Sequence, residues 1–465
     1  MNARVLRTEL RRSAAPWPGL LVLGGSLAVL FAIDGIWWRG TAGWTAQWTS
    51  MALWTRWLLG FWWPLVVGAG ALYGLRDARS GTAELLGSVP RPAWRRAALP
   101  AAATAGTLVV GFGLVVAVGG VQVAARGTAL PGLGWLPISL VAALALAAGG
   151  LFGMGVARAV PSVLTPPALV VLALLTTGLL RSVTDGALPG SVAPNRVALL
   201  SPVTADPREV LLTLAGSVHL GQSLWLLGLA GTGFALLTAT GRRARLLALV
   251  PVLAGAALAL AVLPASPRDT YVLDRAAAGP RCDGAVCVTA AHGARLPELA
   301  ARGGDALRVL REALGERAPR SVREDTAPRA LGDPRPVTAE AVLVDFDERQ
   351  FADAHGDGLT RALVAQGLVP TCRARSDREG GSIEDVAEQS IAASWALGDR
   401  ALTPLEAPGA AAYERQTWAD AEAAWTAFAA APAAEQRARI AAVHDAALSC
   451  STGRLLPVLA GTVTR

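Results

Sequence analysis

The chain has 465 residues, with 53% apolar and 17% charged side chains and a mean hydropathy of +0.42, which is too apolar for an ordinary water-soluble protein. Its net charge of +7 is unevenly divided: 19 arginines and 7 acidic residues precede Ser266, whereas 23 arginines and 28 acidic residues follow it. The sequence contains no Lys, which excludes a Walker A nucleotide site and Schiff-base chemistry because both need a lysine amine.

The N-terminal segment, residues 1–14, has the pattern of a helix that lies on a membrane surface. Apolar and basic side chains alternate there, with Val5, Leu6 and Leu10 set against Arg4, Arg7, Arg11 and Arg12. We expect a cytoplasmic interfacial amphipathic helix. The apolar run that follows is long, and no small-residue cleavage site precedes the next polar loop, so we expect a permanent anchor rather than a cleaved signal peptide.

Residues 15–265 contain seven apolar stretches of roughly the 20 residues that a membrane helix needs. They predict a polytopic α-helical transmembrane domain with spans at about 15–36, 57–75, 97–119, 136–157, 162–180, 222–240 and 246–265. An odd number of spans places the two ends of the chain on opposite sides. Thirteen arginines then lie in segments on the N-terminal side and six, Arg56 among them, in the opposite loops. The positive-inside rule therefore predicts a multi-pass protein of the bacterial plasma membrane, with a cytoplasmic N-terminus and an extracytoplasmic C-terminal domain.

The outer loop after the first span is rich in tryptophan. Eight rings crowd this loop and its flank: Trp37, Trp38, Trp44, Trp48, Trp54, Trp57, Trp62 and Trp63. We expect an aromatic belt at the lipid headgroups, with a ligand-binding aromatic box as the alternative. Asp34, the only carboxylate within an apolar run, lies beside this loop, so we expect it to be solvated rather than functional.

Two further features of residues 15–265 bear on partners. The spacing of Gly149 and Gly153 is typical of close helix contact, either within the bundle or against a second membrane subunit. The arginines of this region adjoin apolar runs instead of lining a polar, aromatic-bearing face. We therefore expect contact with the lipid bilayer and no nucleic-acid binding.

The cytoplasmic loop at 76–96 has the pattern of a short helix followed by a break. Its parts are Ser80 or Thr82 as a helix cap, Glu84 in the favourable first turn, Leu85 and Leu86 as an apolar knob, and Pro90 and Pro92 as terminators. A brief helix with exposed leucines suits docking into a groove of a soluble partner. A basic loop that only fixes the topology is the alternative.

This order of elements resembles the membrane subunit of type-2 ATP-binding-cassette transporters. The resemblance covers about residues 1–265: a basic helix with Glu9-Leu10-Arg11-Arg12, a span, an outer loop, a second span, and then Gly81, Thr82, Glu84, Leu85, Leu86, Ser88 and Pro90 in the pattern Gly-Thr-x-Glu-Leu-Leu-x-Ser-x-Pro. It implies that these seven residues form the coupling helix that docks the ATPase, and that the N-terminal helix is the interfacial elbow. It also implies a separate soluble ATPase that binds ATP and Mg, while this chain binds no cofactor.

The sequence departs from that family in two places. The family usually has six spans with both ends inside, whereas a seventh span here exports a domain of about 200 residues. The long loop 181–221 contains an apolar stretch from Val210 to Val218. That loop could hold the partly re-entrant outer helices of the family or be an ordinary surface loop.

Residues 266–465 are charged and Ala-rich and predict a small extracytoplasmic α+β domain. Strand patterns occur at Tyr271–Asp274, Ala285–Thr289 and Ala341–Phe346, and helical patterns at about 294–315, 348–366, 382–398, 410–430 and 433–449. All four cysteines lie here, which fits an oxidising compartment. Of the three pairings that four cysteines allow, we favour Cys282 with Cys287 across an Asp-Gly turn, which leaves Cys372 with Cys450.

Neither an enzyme site nor a metal site emerges from the sequence. The motifs His-Glu-x-x-His and Gly-x-Ser-x-Gly do not occur. The segment 353–358, Asp-Ala-His-Gly-Asp-Gly, imitates a calcium loop but has Val364 where a bidentate Glu is needed. It could make only a weak site with Asp345 and Asp347, so we predict no metal centre. His292 and His444 lack ligand spacing, and we expect surface positions for both.

The sequence as a whole favours the membrane subunit of an ATP-driven transporter, an exporter by preference. We expect it to have no enzymatic activity of its own and to couple to a separate ATPase through the 76–96 loop as a homodimer or as a heterodimer with a second membrane subunit. The alternative is a membrane-anchored extracytoplasmic binding or sensor protein without transport activity.

Overall fold

The computed structural model describes most of the chain and divides it into two compact units. The described residues are 16–38, 42–79, 92–126, 133–184, 194–204, 210–327, 334–346, 348–372, 383–407, 409, 411–450 and 455–462. The first unit, Met1–Asp274, is called the helical unit, and the second, Arg275–Arg465, the C-terminal unit. The boundary between the two units, after Asp274, lies beyond the predicted one after residue 265.

Helices make up nearly all of the described helical unit, and the long ones are apolar. In chain order they are α1 (Pro16–Ala32), α2 (Trp48–Trp57), α3 (Leu59–Gly74), α4 (Arg76–Arg79), α5 (Ala93–Ala125), α6 (Trp135–Ala159), α7 (Thr165–Thr184), α8 (Asn195–Ala198), α9 (Gly216–Thr238), α10 (Arg242–Leu247) and α11 (Val250–Val262).

Within the described residues, four stretches are long and apolar enough to cross a membrane: Ala93–Ala125, Trp135–Ala159, Gly216–Thr238 and Arg242–Val262. A fifth candidate is the pair α2 and α3, bent by 47°. The helices Pro16–Ala32 and Thr165–Arg181 are apolar but shorter. The protein therefore has the character of a helical membrane protein, and the count of seven spans stays a prediction.

The outer surface of these helices is apolar. Val110, Leu175 and Leu253 are each more than half exposed, on three different helices. Water-soluble proteins rarely expose so much apolar surface, whereas lipid chains cover it without penalty. The pattern agrees with helices that face a bilayer.

Glycines set the distance between the helices of the helical unit. An added Cβ at Gly153 would collide with the backbone carbonyl of Val67, and one at Gly149 would lie 2.9 Å from Nε1 of Trp63. Gly155 and Gly233 are in similar backbone contact across α6 and α9. The small-residue spacing of Gly149 and Gly153 therefore serves packing within the bundle.

The stretch Val210–Val218 contains no re-entrant helix. Residues Leu212–Leu214 form strand β1, which pairs antiparallel with β2 (Tyr271–Leu273), and helix α9 begins at Gly216. The strand predicted at Tyr271–Asp274 is thus present but belongs to the helical unit, not to the C-terminal domain. Its β-branched and aromatic residues find their partner about 60 positions upstream, which local pattern does not reveal.

The C-terminal unit contains a four-stranded mixed sheet of order β3–β4–β5–β6. Its strands are β3 (Pro280–Asp283), β4 (Val286–Thr289), β5 (Ser321–Glu324) and β6 (Ala341–Val344). β3 and β4 form a hairpin around Gly284, whose φ of 58° favours glycine. β4, β5 and β6 are parallel, so this part has α/β character within the predicted α+β domain. The sequence patterns missed β3 and β5.

Seven helices complete the described part of the C-terminal unit: α12 (Leu296–Leu314), α13 (Arg349–Ala352), α14 (Gly356–Leu368), α15 (Ile383–Leu397), α16 (Ala412–Ala429), α17 (Ala433–Leu448) and α18 (Leu456–Ala460). The amphipathic helix α12 connects β4 to β5 and buries Leu299, Leu307 and Leu310 against the sheet. One continuous apolar core joins the sheet to these helices. The helices predicted at about 294–315, 382–398, 410–430 and 433–449 are present within three residues of their expected bounds.

Two disulfides stabilise the C-terminal unit. Cys282 bonds to Cys287 across the β3–β4 hairpin, and Cys372 bonds to Cys450 over a separation of 78 residues. This is the pairing that the sequence favoured over the other two. The second bridge connects the segment after α14 to the end of α17 and so fixes two distant parts of one core.

Candidate functional site

The predicted ATPase-docking residues fall outside the described residues. Gly81, Thr82, Glu84, Leu85, Leu86, Ser88 and Pro90 all lie within 80–91, and the predicted interfacial helix within 1–15. What the structure describes is the frame of the loop. α4, a short polar helix after the apolar α3, ends at Arg79, and the apolar helix α5 begins at Ala93.

A buried arginine, Arg56, lies just before the N-terminal end of α3. Arg56, near the end of α2, has no exposed surface, although the sequence placed it in an outer loop. Its Nε donates to the carbonyl of Pro202 at 3.0 Å, and its Nη2 donates to Oε1 of Gln222. The Gln222 amide in turn donates to the carbonyls of Leu199 and Ser201, each at 2.9 Å. Three separate segments of the helical unit therefore meet at one guanidinium.

The tryptophans near Arg56 form a protein core instead of the predicted headgroup belt. Trp37, Trp44, Trp54 and Trp57 are each less than a tenth exposed and lie in one apolar cluster. The rings of Trp37, Trp54 and Trp57 contact one another edge-on or tilted, with centroids between 5.5 and 6.4 Å apart, and Trp44 contacts Trp38 edge-on at 5.5 Å. The expectation of a lipid-facing belt is wrong for the four buried rings because they bury their area inside the protein. Asp34, by contrast, is exposed as expected.

A His–Glu pair lies at the carboxyl edge of the parallel strands in the C-terminal unit. Glu324, the last residue of β5, accepts from the backbone N–H of Thr289 at 2.7 Å, and its other oxygen lies 2.6 Å from Nδ1 of His292. The His292 ring packs against Phe346, with centroids 4.7 Å apart. In the neutral ring, an Nδ1–H donated to this carboxylate makes Nε2 the acceptor of the imidazole.

The expected surface position of His292 is therefore wrong. Its side chain is 13% exposed and that of Glu324 is 3% exposed. Ligands of parallel sheets bind beyond the carboxyl ends of the strands, which is where this pair lies. The two residues are 32 positions apart, so their pairing depends on the parallel register of β4 and β5. The position of Glu324 at the end of a Ser-Val-Arg-Glu strand was the only sequence signal available.

The calcium-loop imitation at 353–358 has a structural explanation. His355 pairs with Glu298 at 2.9 Å, and Asp357 pairs with Arg302 at 2.8 Å, both on helix α12. The backbone N–H of Gly356 also donates to Glu298, and these bonds hold the pKa of that carboxyl below its usual range. Across the ranges that the structure describes, no group of three His, Cys, Asp or Glu could hold a metal ion. Asp347 lies outside the described residues.

His444 is buried, contrary to the surface position expected for it. It is 2% exposed, and its Nδ1 lies 2.9 Å from the carbonyl of Leu368. Its Nε2 has no hydrogen-bond partner. The ring lines a small pocket together with Thr338, Gln366 and Pro370. Burial lowers the pKa of His444, an effect that the bond to Leu368 only partly offsets.

Acidification from pH 7.5 to pH 5 is therefore expected to destabilise the C-terminal unit. Because the folded-state pKa of His444 is depressed, the unfolded chain takes up a proton below about pH 6.5 that the folded chain resists. The stabilising contribution is complete above the unfolded pKa and is lost as the pH falls through the folded one. Pulse proteolysis of the full chain in urea, at both pH values, measures the change. His444→Gln should flatten the pH dependence of the unfolding free energy. If the variant lost as much stability as the wild type on acidification, the assignment of the effect to His444 would be contradicted.

Arg56 in the helical unit and the His292–Glu324 pair in the C-terminal unit are two of the polar centres that the described residues bury. The first joins three segments of the helical unit, and the second lies at a sheet edge where ligands commonly bind. No protein-family model, curated protein or solved structure matches the chain.

Proposed function

We propose that the chain is the membrane-spanning subunit of an ATP-driven transporter, by preference an exporter, and that it couples to a separate ATPase through the 76–96 loop. The observation that carries the proposal is the position of the Gly-Thr-x-Glu-Leu-Leu-x-Ser-x-Pro motif in the stretch of chain between the apolar helices α3 and α5 of a multi-helix unit. ATP and Mg bind to the partner, because this chain has no Lys for a Walker A site. The complex contains two membrane subunits, identical or different.

The proposed topology has seven spans, with the bent pair α2–α3 counted as one and the two shorter helices included. The N-terminus is then cytoplasmic and the C-terminal unit extracytoplasmic. Two disulfides in the C-terminal unit support this orientation, because disulfides persist in oxidising compartments. Protease added to intact spheroplasts should degrade residues 275–465 and spare the helical unit.

The coupling we propose runs along α3. This helix has 16 residues, so it extends for about 24 Å from Gly74, which α4 separates from the 80–91 segment, to the bend beside Arg56. Gly70 of α3 contacts the backbone of Gly150 on α6, and Gly153 of α6 contacts the backbone of Val67 on α3. Such close packing resists sliding of one helix along the other. A displacement of the loop by the ATPase would therefore be transmitted to the far end of α3 as a movement of the whole helix.

Replacing Leu85 and Leu86 together with Asp is expected to abolish association with the ATPase. Burial of two leucines in a partner groove stabilises a complex by about 3–6 kcal/mol, more than a hundredfold in affinity. The measurement is mild-detergent purification from native membranes, with mass-spectrometric identification of what remains bound. The wild-type chain should retain a stoichiometric Walker A protein.

The matched control replaces the same two leucines with Ile, which keeps the apolar knob and should keep the ATPase. Recovery of the wild-type chain alone, or with extracytoplasmic proteins only, would contradict coupling and favour a membrane-anchored binding or sensor protein. An ATPase retained by the double Asp variant would move the docking site elsewhere.

A further inference from the structure

We propose that the exposed helix α10 binds the headgroup of an anionic phospholipid. Arg242 and Arg243 contact the lipid phosphate, and Leu246 and Leu247 lie against its acyl chains. These four residues are called the Arg–Leu surface. The inference rests on the helical unit being a membrane protein and not on the proposed coupling to an ATPase.

The helix α10 packs none of its side chains into the described protein. None of its six residues is buried, and Leu246 and Leu247 are 61% and 68% exposed. Exposure of such bulky apolar side chains to water is unfavourable. Acyl chains are as apolar as leucine, so contact with a bilayer removes that cost.

The stretch from α10 to α11 changes from charged to apolar along its length. Three arginines lie in α10, and the exposed Leu253 and Leu258 follow on α11. The whole stretch, Arg242–Val262, is long and apolar enough to cross a membrane, and only 17% of its apolar part is buried inside the protein. Charged side chains at the end of a lipid-facing span lie at the level of the headgroups. The Arg–Leu surface therefore belongs where lipid phosphates adjoin the acyl chains.

The guanidinium groups of Arg242 and Arg243 are available to a ligand. Both residues are exposed, and neither makes a hydrogen bond or an ion pair within the ranges that the structure describes. Arg245, by contrast, donates to the carbonyl of Ala159 at 2.9 Å and so fixes α10 to the C-terminal end of α6. The sequence contains neither Asp nor Glu from 85 to 184 or from 210 to 268. Neither α6 nor α10 therefore supplies a carboxylate that would neutralise these arginines.

An anionic phospholipid fits both parts of this surface. Arginine offers several N–H donors to phosphate oxygens, and anionic headgroups attract basic residues beside a membrane span. Free phosphate would leave the leucines exposed to water. A protein partner would have to cover a surface that continues into the lipid-facing α11. Val163 and Leu164, which follow Ala159 closely in the chain, are also more than two-thirds exposed, so the apolar part extends beyond α10.

The test measures which lipids lie beside α10 in the full chain. All four cysteines of the sequence are in the two disulfides, so Ala244→Cys, at an exposed position in α10, can carry a single fluorophore. The labelled chain is reconstituted into phosphatidylcholine vesicles with increasing fractions of nitroxide-labelled phosphatidylglycerol or, as the reference, nitroxide-labelled phosphatidylcholine. The two quenching curves give the relative association constant of the lipids at α10. We expect a preference of about 25-fold for phosphatidylglycerol, because each arginine at a membrane surface contributes about fivefold.

Three double variants of the labelled chain make the test specific. Arg242→Gln with Arg243→Gln should lower the preference to about twofold or less, and it leaves the packing intact because α10 buries none of its residues. Arg242→Lys with Arg243→Lys keeps the positive charge and should keep most of the preference. The matched control, Arg400→Gln with Arg437→Gln, removes the same charge from exposed positions of the C-terminal unit and should leave the preference unchanged.

Each outcome decides the proposal. Equal association of the two lipids with the labelled parent chain would overturn it, as would an unchanged preference in the Gln variant of Arg242 and Arg243. No quenching by either lipid would also overturn it and would show that protein, not lipid, covers α10. An equal loss of preference in the matched control would assign the effect to net charge and not to this surface. Because no ATPase is present in the vesicles, none of these results depends on the coupling loop.

Discussion

Replacement of Gly153 by Val is expected to prevent stable folding of the helical unit. A Cβ at Gly153 would overlap the carbonyl of Val67 and approach the backbone of Ala71 to 3.0 Å. A backbone obstacle cannot rotate away as a side chain can, so α3 and α6 would have to separate. We expect a loss of at least about 3 kcal/mol, which lowers the unfolding midpoint by about 6–12 °C or causes aggregation on extraction.

The control for this variant is the same substitution at Gly113. That position lies on apolar helix α5, and an added Cβ there meets nothing within 4 Å. Both substitutions carry the same helix-propensity change, so their difference isolates the helix contact. Size-exclusion chromatography and thermal unfolding of the two variants measure it. Equal behaviour of Gly153→Val and Gly113→Val would contradict the packing of α3 against α6.

Removal of the Cys372–Cys450 disulfide is expected to destabilise the C-terminal unit by about 4–5 kcal/mol. The bridge closes a loop over 78 residues, and the entropy of the unfolded chain that a disulfide removes grows with loop length. For a unit of this size the unfolding midpoint should fall by roughly 8–20 °C. Hydrogen exchange of peptides from Ile383–Leu397 and Ala433–Leu448, in the full chain with both cysteines replaced by Ala, provides a local measurement.

The hairpin disulfide supplies the matched control. Cys282 and Cys287 are 5 residues apart, so their replacement by Ala should cost only about 2 kcal/mol on the same entropy argument. Hydrogen exchange of the backbone amides should then increase at β3 and β4, with little change in α15 and α17. A larger effect from the hairpin bridge than from the long one would show that native contacts, not loop entropy, dominate.

Much of the helical architecture was predictable from the sequence because its signal is local. A helix forms its hydrogen bonds within its own segment, and an apolar face or an apolar run shows directly in the residues. For this reason the apolar runs at 97–119 and 136–157 correspond to α5 and α6, and the amphipathic run at 294–315 to α12. The Asp-Gly turn was a similarly local signal for the bridge across β3 and β4.

The strands and the buried polar groups were harder to predict from the sequence, because their partners are distant in the chain. β3 and β5 lack a strong alternating pattern, and β1 pairs with a strand about 60 residues later. Arg56 was counted as a loop arginine in the sequence, although it binds Pro202 and Gln222 in the interior. The four buried tryptophans had the composition of an interfacial belt, and only their burial in one apolar cluster distinguishes a core from a belt.

The sequence by itself determined the division into an apolar, arginine-rich part and a charged, cysteine-bearing part, the main helices and the motif at Gly81–Pro90. These features depend on composition and on contacts between residues close in the chain. The tertiary structure alone decided that Arg56 is buried, that His292 faces Glu324, and that Gly153 meets Val67. Each of these depends on two or more segments brought together by folding, and the free energy of such contacts has no counterpart in a local pattern.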